Sequence, residues 1–368
     1  MRILSVVGTR PNFVKLAPLH RALRAKRLRH MVVHTGQHYD PSLSDSFFHD
    51  LQIPPADRNL DVGSGTHSEQ TAKTMLRLEP VLMEHPRPDW VLVYGDVNST
   101  LAATLCAKKL HLRVGHIESG IRHIHEDFSI PEELNRIMAD HISDFLFAPT
   151  ATAARNLRRE GIPAGRVKLV GNTMYDTLVW ALPFAKKRRP LQTLGLPPGE
   201  PFVLVTLHRP ENVDDPEIFK GVFRALHEIS RERRIVFPAH PRTKKMLARF
   251  GLAPVDARRI VLCDPFGYLD FLSLMLKTEL MMTDSGSIQD ETSFLGVPCL
   301  TVRNNSDRPE TFRKGFNNHL VGNRPAGILR AWKAHASRRS RPRRLVHAVD
   351  DGKTARRIVE CLLQSARA

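Results

Sequence analysis

Short apolar runs, each closed by a small polar turn and followed by a helical pattern, recur from one end of this chain to the other. That alternation leaves few folds open. In the first half the runs are Ile3–Val7, Met31–His34, Trp90–Tyr94, Leu112–Ile117, Phe145–Phe147 and Val167–Val170, with an amphipathic stretch near Leu16–Arg24. In the second they are Phe202–Leu207, Ile235–Phe237, Ile260–Leu262, Leu280–Met282 and Cys299–Val302, with helices predicted at Glu217–Arg231, Thr243–Phe250, Leu269–Lys277 and Ile288–Phe294. Strands that are apolar throughout and separated by helices argue for a parallel, doubly wound α/β sheet. Trp180–Pro201, rich in proline, glycine and basic residues, reads as a linker. The reading is a Rossmann-like domain over 1–171, a linker region over 172–200 and a second Rossmann-like domain over 201–350. A last helix within 354–368 is available to pack back on the first domain. The two domains are expected to face each other across a cleft, with ligands at the C-terminal ends of the strands. With 368 residues, each domain can have its own core.

Composition narrows the function. The hydrophobic fraction of 42% and charged fraction of 25% describe a soluble globular chain, and no apolar run reaches membrane-spanning length. MRILSVVGTR is already a core strand, which argues against a leader. The cysteines Cys106, Cys263, Cys299 and Cys361 are scattered without CxxC spacing, and read as buried small hydrophobes in a reducing cytoplasm. The net charge of +17 favours anionic ligands. Much of the excess lies in Lys186–Arg189 and Ala336–Arg344, without the interleaved aromatics that stack bases, which argues against nucleic acid as partner.

Two turns stand out as ligand sites. Leu280–Met282 runs into Thr283-Asp284-Ser285-Gly286, where a helix starts with Gln289, Asp290 and Glu291 in its first turns. Gly286 permits a tight turn, Asp284 or Ser285 can cap the helix, and small residues with a helix dipole favour an anion such as a nucleotide diphosphate. After the first strand comes Gly8-Thr9-Arg10-Pro11-Asn12-Phe13-Val14-Lys15, with two cations where a nicotinamide or flavin site would have GxGxxG. Asp96, Glu118 and His208 each sit just past a strand; the two acids are suited to proton transfer or to stabilising positive charge on a sugar, and His208 to acid/base work and phosphate contact. Pro131-Glu132-Glu133 opens a helix, and Glu133 reads as complementing the helix dipole while Glu132 does not. His116, His123 and His125 cluster loosely beside Glu118 and Glu126 without metal-ligand spacing, so no metal is expected. Ser119 and Ser285 lack a GxSxG nucleophile context. Phe271 is placed either to stack a base or to pack in the core.

Taken in order, the motifs resemble the non-hydrolysing UDP-N-acetylglucosamine 2-epimerases. The resemblance runs from GTRPNFVKLAPL through TGQHYD, VLVYGDVNSTLAATLCAKKL, VGHIESGIR and PEELNRIMADHISDFLFAPT. It continues through GNTMYDTL, VTLHRPEN, FPAHPRTKK, FGYLDFL and TDSGSIQDETSFLGVPCLTVRNNSDRPE to DGKTARRIVE. It implies a two-domain fold of the GT-B type, like UDP-glycosyltransferases and glycogen phosphorylase. It implies Asp96, Glu118, Glu132 and His208 as catalytic residues. Arg10, Lys15, Arg136 and Arg209 would contact the sugar nucleotide. Ser285, Gly286 and Ser287 would hold the pyrophosphate, Glu291 the ribose, Phe271 the uracil side and Arg308 the substrate. The implied activity is an isomerase reaction, UDP-N-acetylglucosamine to UDP-N-acetylmannosamine, in a cytoplasmic homodimer that uses no cofactor and supplies surface polysaccharide.

The sequence departs from the family pattern in places. The common GG of the phosphate turn is Gly286-Ser287, and the acidic pair is Asp290-Glu291. Gln37-His38 is followed by YDPSLSDSFF with no glutamine until Gln52, which argues against activation by substrate. Phe266 stands where the family often has glutamine. GTRPNF in place of GTRPEA resembles a branch acting on 3-acetamido or uronic acid derivatives, and Arg113, Arg122 and His123 are the candidates to meet such a carboxylate. A GT-B glycosyltransferase, which would need an acceptor, is the competing enzyme class.

Overall fold

The structure, a computed structural model, describes residues 1–36, 48–123, 130–197, 199–254, 256–312, 317–336 and 350–365, excepting the side chains of Arg10 and Ala336. The basic stretch over 337–344, the segment from Gln37 to Phe47, and His125 and Glu126 lie outside the described residues. The chain forms two compact units, one of Met1–Arg122, Glu126–Ala181 and His347–Ala368, the other of His123–His125 and Leu182–Val346.

The first unit holds a parallel sheet of β1 (Arg2–Val7), β2 (Arg29–His34), β3 (Arg58–Asn59), β4 (Trp90–Tyr94), β5 (Arg113–Ile117), β6 (Phe145–Ala148) and β7 (Val167–Leu169). Their order is β3-β2-β1-β4-β5-β6-β7. The direction of winding reverses between β1 and β4, where Ile3 pairs with Trp90 and Ser5 with Leu92. Trp90 through Tyr94 are buried without a break, as a strand covered on both faces requires. Leu4, Val6, Val33, Leu78, Val91, Val93, Ala103 and Val114 form one core between the sheet and its helices.

The second unit repeats the plan with β8 (Phe202–Thr206), β9 (Arg234–Pro238), β10 (Ile260–Cys263), β11 (Leu280–Thr283), β12 (Cys299–Thr301) and β13 (Asn318–Leu320). The order is β10-β9-β8-β11-β12-β13, with the reversal between β8 and β11. Val203, Val205, Phe219, Phe223, Ile235, Phe237, Leu280, Met282 and Leu300 pack together in its core. The helix Gly286–Leu295 stops at Gly296, whose φ of 73° is the left-handed conformation that closes a helix without a Cβ penalty.

Two strands carry no sequence signal. β3 is an exposed pair of polar residues and β13 includes Asn318 and His319, so neither shows an apolar run. The stretch read as a linker is partly helical. Thr173–Ala185 is one helix, with Pro183 near its C-terminal end, and the division between the units falls between Ala181 and Leu182. All four cysteines are free; Cys106 and Cys299 are buried. Among the described residues no helix is long and apolar enough to cross a membrane.

The helix Thr354–Gln364 belongs to the first unit. It is capped from outside its own segment: the Thr354 amide donates to Asp176 Oδ1 at 3.1 Å and the Ala355 amide to Asp176 Oδ2 at 2.8 Å. Arg357 Nη1 adds a bond to the Val170 carbonyl at 3.1 Å. A carboxylate on two orphan amides at a helix start both satisfies donors and complements the dipole. Asp176→Ala should therefore cost about 1–2 kcal/mol, with a smaller loss for Asp176→Asn. Thermal unfolding is the check, and an unchanged melting temperature in the alanine variant would remove this cap from the account.

Candidate active site

Each unit gathers polar side chains at the C-terminal edge of its sheet, beside the strand pair where the winding reverses. In the first unit β1 ends at Val7 and the helix Arg10–Ala25 begins after Thr9. Asn12, in the first turn of that helix, accepts from the Gly8 amide at 3.0 Å and the Thr9 amide at 3.2 Å. Its Nδ2 donates to the Tyr94 carbonyl at 3.1 Å, which joins the turn after β1 to the end of β4.

Lys15 lies one turn further along the helix. It is not a solvated cation at a helix start; it is 5% exposed and pairs with Glu118, itself 6% exposed. Gly95 makes room for that pair. Its φ is +66°, and a Cβ there would lie 2.9 Å from Lys15 Nζ and 3.1 Å from Glu118 Oε2. Glu118 has a φ of +69°, uncommon for a residue with a Cβ and a form of stored strain found at functional sites.

The helix Pro131–Ile142 supplies the partner of Asp96. Arg136 pairs with Asp96 and, through Nη1, with Glu133 Oε2 at 3.0 Å. Asn135 Nδ2 donates to the Asp96 carbonyl at 2.9 Å. Glu133 thus does more than complement a dipole: it is 1% exposed and braces the arginine that holds Asp96. Glu132 is half-buried and, among the described residues, has no hydrogen-bond partner. The arginines considered for a sugar carboxylate are engaged elsewhere. Arg122 is bidentate to Glu160 at 2.8 Å on both oxygens and also meets Asp140 Oδ2 at 2.8 Å. Arg113 begins β5, at the opposite edge of the sheet, with its guanidinium 4.8 Å from the Trp90 ring centre.

In the second unit Asp284 is the centre. Of the two residues the sequence offers as a helix cap, Asp284 and Ser285, Ser285 is at the N-cap, and its side chain makes no capping bond. Asp284 turns the other way. Its Oδ2 accepts from the His208 amide, the Arg209 amide and Asn212 Nδ2, each at 3.0 Å, and its Oδ1 lies 3.0 Å from His208 Nδ1. Burial opposes the charge on this fully buried carboxyl, but His208 and the surrounding donors outweigh it and hold the group at about 2. With Nδ1 on Asp284, His208 keeps Nε2 for other work, and its side chain is 42% exposed. Arg209 Nε donates to the Asp284 carbonyl at 3.0 Å.

Ser285, Gly286 and Ser287 open the helix with no acidic residue in its first turn. Gly286 does not have a positive φ, so a tight turn is not its reason. An added Cβ would meet Asp307 Oδ1 at 3.4 Å, an ordinary contact. What glycine leaves open there is close approach to the backbone. Arg308, 6% exposed, is held beside it by Asp290 Oδ2 at 2.9 Å and Asp307 Oδ2 at 3.0 Å. Arg303, which the sequence reading missed, lies behind it at 2% exposure, with Nη1 3.4 Å from Asp307 Oδ1. Burial, and then the neighbouring Arg209, lower its hold on its proton. Glu291 accepts from the Tyr268 hydroxyl at 2.9 Å. Burial pushes its carboxyl up to about 7, against the pull of that hydrogen bond. Phe271 is partly buried and packs on the apolar cluster of Leu274, Met275 and Met281. Among the described residues no three His, Cys, Asp or Glu side chains are placed to hold a metal.

The family model described as UDP-N-acetylglucosamine 2-epimerase matches residues 21–363. A UDP-N-acetylglucosamine 2-epimerase of Methanocaldococcus jannaschii is 40% identical over 98% of this chain and 99% of its own. A UDP-2,3-diacetamido-2,3-dideoxy-D-glucuronate 2-epimerase of Pseudomonas aeruginosa is 41% identical over 88% of each. The crystal structure of the M. jannaschii enzyme in complex with UDP-GlcNAc and UDP superposes with a TM-score of 0.90 at 39% identity, covering 99% of this chain and 100% of that one.

Glu291 gives this site a stability signature. An unfolded glutamate ionises near 4.5 and the folded one near 7, so between those values the folded state holds the extra proton. Stability therefore falls as pH rises through that window and stays lowered above it. Glu291→Gln should raise the melting temperature, and by more at pH 8 than at pH 5. Equal shifts at both values would remove the buried carboxylate as the cause.

Proposed function

This chain belongs to the UDP-N-acetylglucosamine 2-epimerase family, and we propose that it interconverts UDP-N-acetylglucosamine and UDP-N-acetylmannosamine. The observation that carries this reading is the likeness, over nearly the whole length of both chains, to an epimerase solved with UDP-GlcNAc and UDP.

The chemistry explains the residues. The hydrogen on C2 of the sugar is not next to a carbonyl, so simple abstraction is difficult. In the proposed route the C1–O bond breaks, its electron pair leaves with UDP, C2 loses its proton, and the C1–C2 double bond of 2-acetamidoglucal forms. UDP then adds back to C1 while C2 is protonated on the opposite face. The sequence has no net redox change and calls for no nicotinamide or flavin. The departing diphosphate needs positive charge and open amides, which Ser285, Gly286 and Ser287 at a helix start can supply with Arg209 and Arg308. Glu291 is assigned to the ribose and Phe271 to the uracil side.

Asp96, Glu118, Glu132 and His208 are assigned to the sugar. Asp96 and Glu118 are paired with Arg136 and Lys15, and suit stabilising positive charge that develops at C1. Glu132, unpaired among the described residues, and His208, with Nε2 uncommitted, suit proton transfer. Arg10, Lys15 and Arg136 are assigned to the sugar nucleotide. The product would supply N-acetylmannosamine for surface polysaccharide, in the cytoplasm where nucleotide sugars are made. A homodimer belongs to the proposal, as the family resemblance implies.

A second reading is 2-epimerisation of a diacetamido uronate derivative, favoured by the P. aeruginosa relative. Against it, Arg122 is already committed to Glu160 and Asp140. Proton NMR of the protein with UDP-GlcNAc in D₂O, without metal or acceptor, separates the readings. Deuterium entering C2 together with UDP-ManNAc signals is expected. No exchange with UDP-GlcNAc but exchange with the diacetamido glucuronate would establish the second reading. Asp96→Asn should lower turnover by about 100-fold or more while UDP still binds, and wild-type turnover would dismiss Asp96 as a catalytic residue.

A further inference from the structure

The epimerase reading leaves a fully buried ion pair unused. His116 in β5 and Asp140 in the helix Pro131–Ile142 are both 0% exposed, with Nδ1 2.7 Å from Asp140 Oδ1. The other ring nitrogen, Nε2, lies 2.7 Å from the Gly95 carbonyl oxygen. Both partners are acceptors, and each ring nitrogen lies within hydrogen-bond distance of one of them. Asp140 Oδ2 accepts from the Gly120 amide at 3.0 Å and meets Arg122 Nη2 at 2.8 Å. Burial disfavours the Asp140 charge, yet His116 and Arg122 hold its carboxyl below the usual range.

The contacts of this pair fall on two peptides. Gly95 immediately precedes Asp96. Gly120 lies two residues beyond Glu118 and closes the turn in which Glu118 has its positive φ. Each glycine is locked in its own way. Gly95 has a φ of +66°, and Gly120 a φ of +77° with the Ala153 carbonyl 2.4 Å from where a Cβ would stand. The Gly95 amide donates to the Ile117 carbonyl at 3.0 Å, so the two turns are also bonded to each other directly. A strained turn persists only where its surroundings over-determine it, and here one buried imidazole ring and one carboxylate grip both turns at once.

We propose that His116 and Asp140 are positioning residues for the epimerisation: their ion pair fixes the Gly95 and Gly120 peptides and so sets where the carboxylates of Asp96 and Glu118 point. The inference rests on the epimerase reading. It differs from a merely structural role because the gripped atoms belong to the two turns that carry those carboxylates, and misplacement of a reacting group by about 1 Å can cost about 100-fold in rate.

The test uses side chains that mimic one nitrogen each. His116→Asn keeps an amide near the Nδ1 position and loses the Gly95 bond; His116→Gln keeps an amide near Nε2 and can still reach Gly95. His116→Asn is expected to lower kcat by about 100-fold, with KM for UDP-GlcNAc and calorimetric UDP affinity unchanged, and His116→Gln to recover about tenfold of that loss. Asp140→Asn, of the same volume, should show the same split between kcat and KM, and it keeps the proposal testable if the histidine variants fail to fold. Wild-type kcat in His116→Asn, equal loss in both histidine variants, or a parallel fall in kcat, UDP affinity and melting temperature would each overturn it. If the wild-type protein exchanges no deuterium into C2 of UDP-GlcNAc, the epimerase reading itself fails, an outcome distinct from these.

Discussion

A parallel sheet delivers its turns to one edge, and where the winding reverses two neighbouring turns diverge and must be tied together. In the second unit Asp284 makes that tie. One carboxylate, fully buried, collects two backbone amides, an asparagine and a histidine from the chain that follows β8, while it stands itself at the end of β11. Leaving any of those donors unpaired in the interior would cost about 1–3 kcal/mol. The same contact sets the direction of His208, and the helix that follows starts at Ser285 with no side-chain capping bond. The first unit solves the problem with Asn12. An amide can accept from Gly8 and Thr9 and also donate to the Tyr94 carbonyl; a carboxylate, as in the GTRPEA form of the motif, accepts only.

The helix Pro131–Ile142 organises the acidic groups of the first unit. Glu133, Asn135, Arg136 and Asp140 are its buried polar residues, and between them they reach the Asp96 side chain, the Asp96 carbonyl, His116 and Gly120. Pairing each acid with a cation is the condition for burying it: an isolated carboxylate in this interior would neutralise instead of holding its charge. The pairs Lys15–Glu118 and Arg136–Asp96 therefore keep negative charge at the sheet edge. Under the proposed reading, that charge would face a sugar carbon that becomes positive.

The sheets were legible because a strand covered on both faces must be apolar along its length. Trp90–Tyr94 agrees between sequence and structure residue for residue, and the other apolar strands agree within two residues at either end. β3 and β13 escaped because an edge strand of two or three partly polar residues leaves no such trace. Among site residues, those placed directly after a strand could be read from position alone, as with Asp96, Glu118 and His208. Of the two capping candidates, Asp284 and Ser285, the structure puts Ser285 at the N-cap, and what Asp284 binds instead could not be read from its position before a helix. Glu133, Asp140 and Arg303 were not legible as site residues. Their roles depend on contacts made across 3 to 24 positions of sequence, and spacing does not reveal which polar partner a buried side chain meets.

Glu291 shows why such a site is kept at a cost. Burial, helped by the neighbouring Asp290 charge and opposed by the Tyr268 hydroxyl, resists the carboxylate and pushes the group up to about 7. A stability-optimised core would place glutamine or leucine there. Groups that bury charge without full compensation persist where binding supplies the missing partners. Under the proposed reading those partners are ribose hydroxyls, each able to donate to the carboxylate and favour its charged form. By linkage, whatever stabilises the ionised form on binding also releases the proton that the empty site retains. The energy withheld from folding at this position is then available to nucleotide binding.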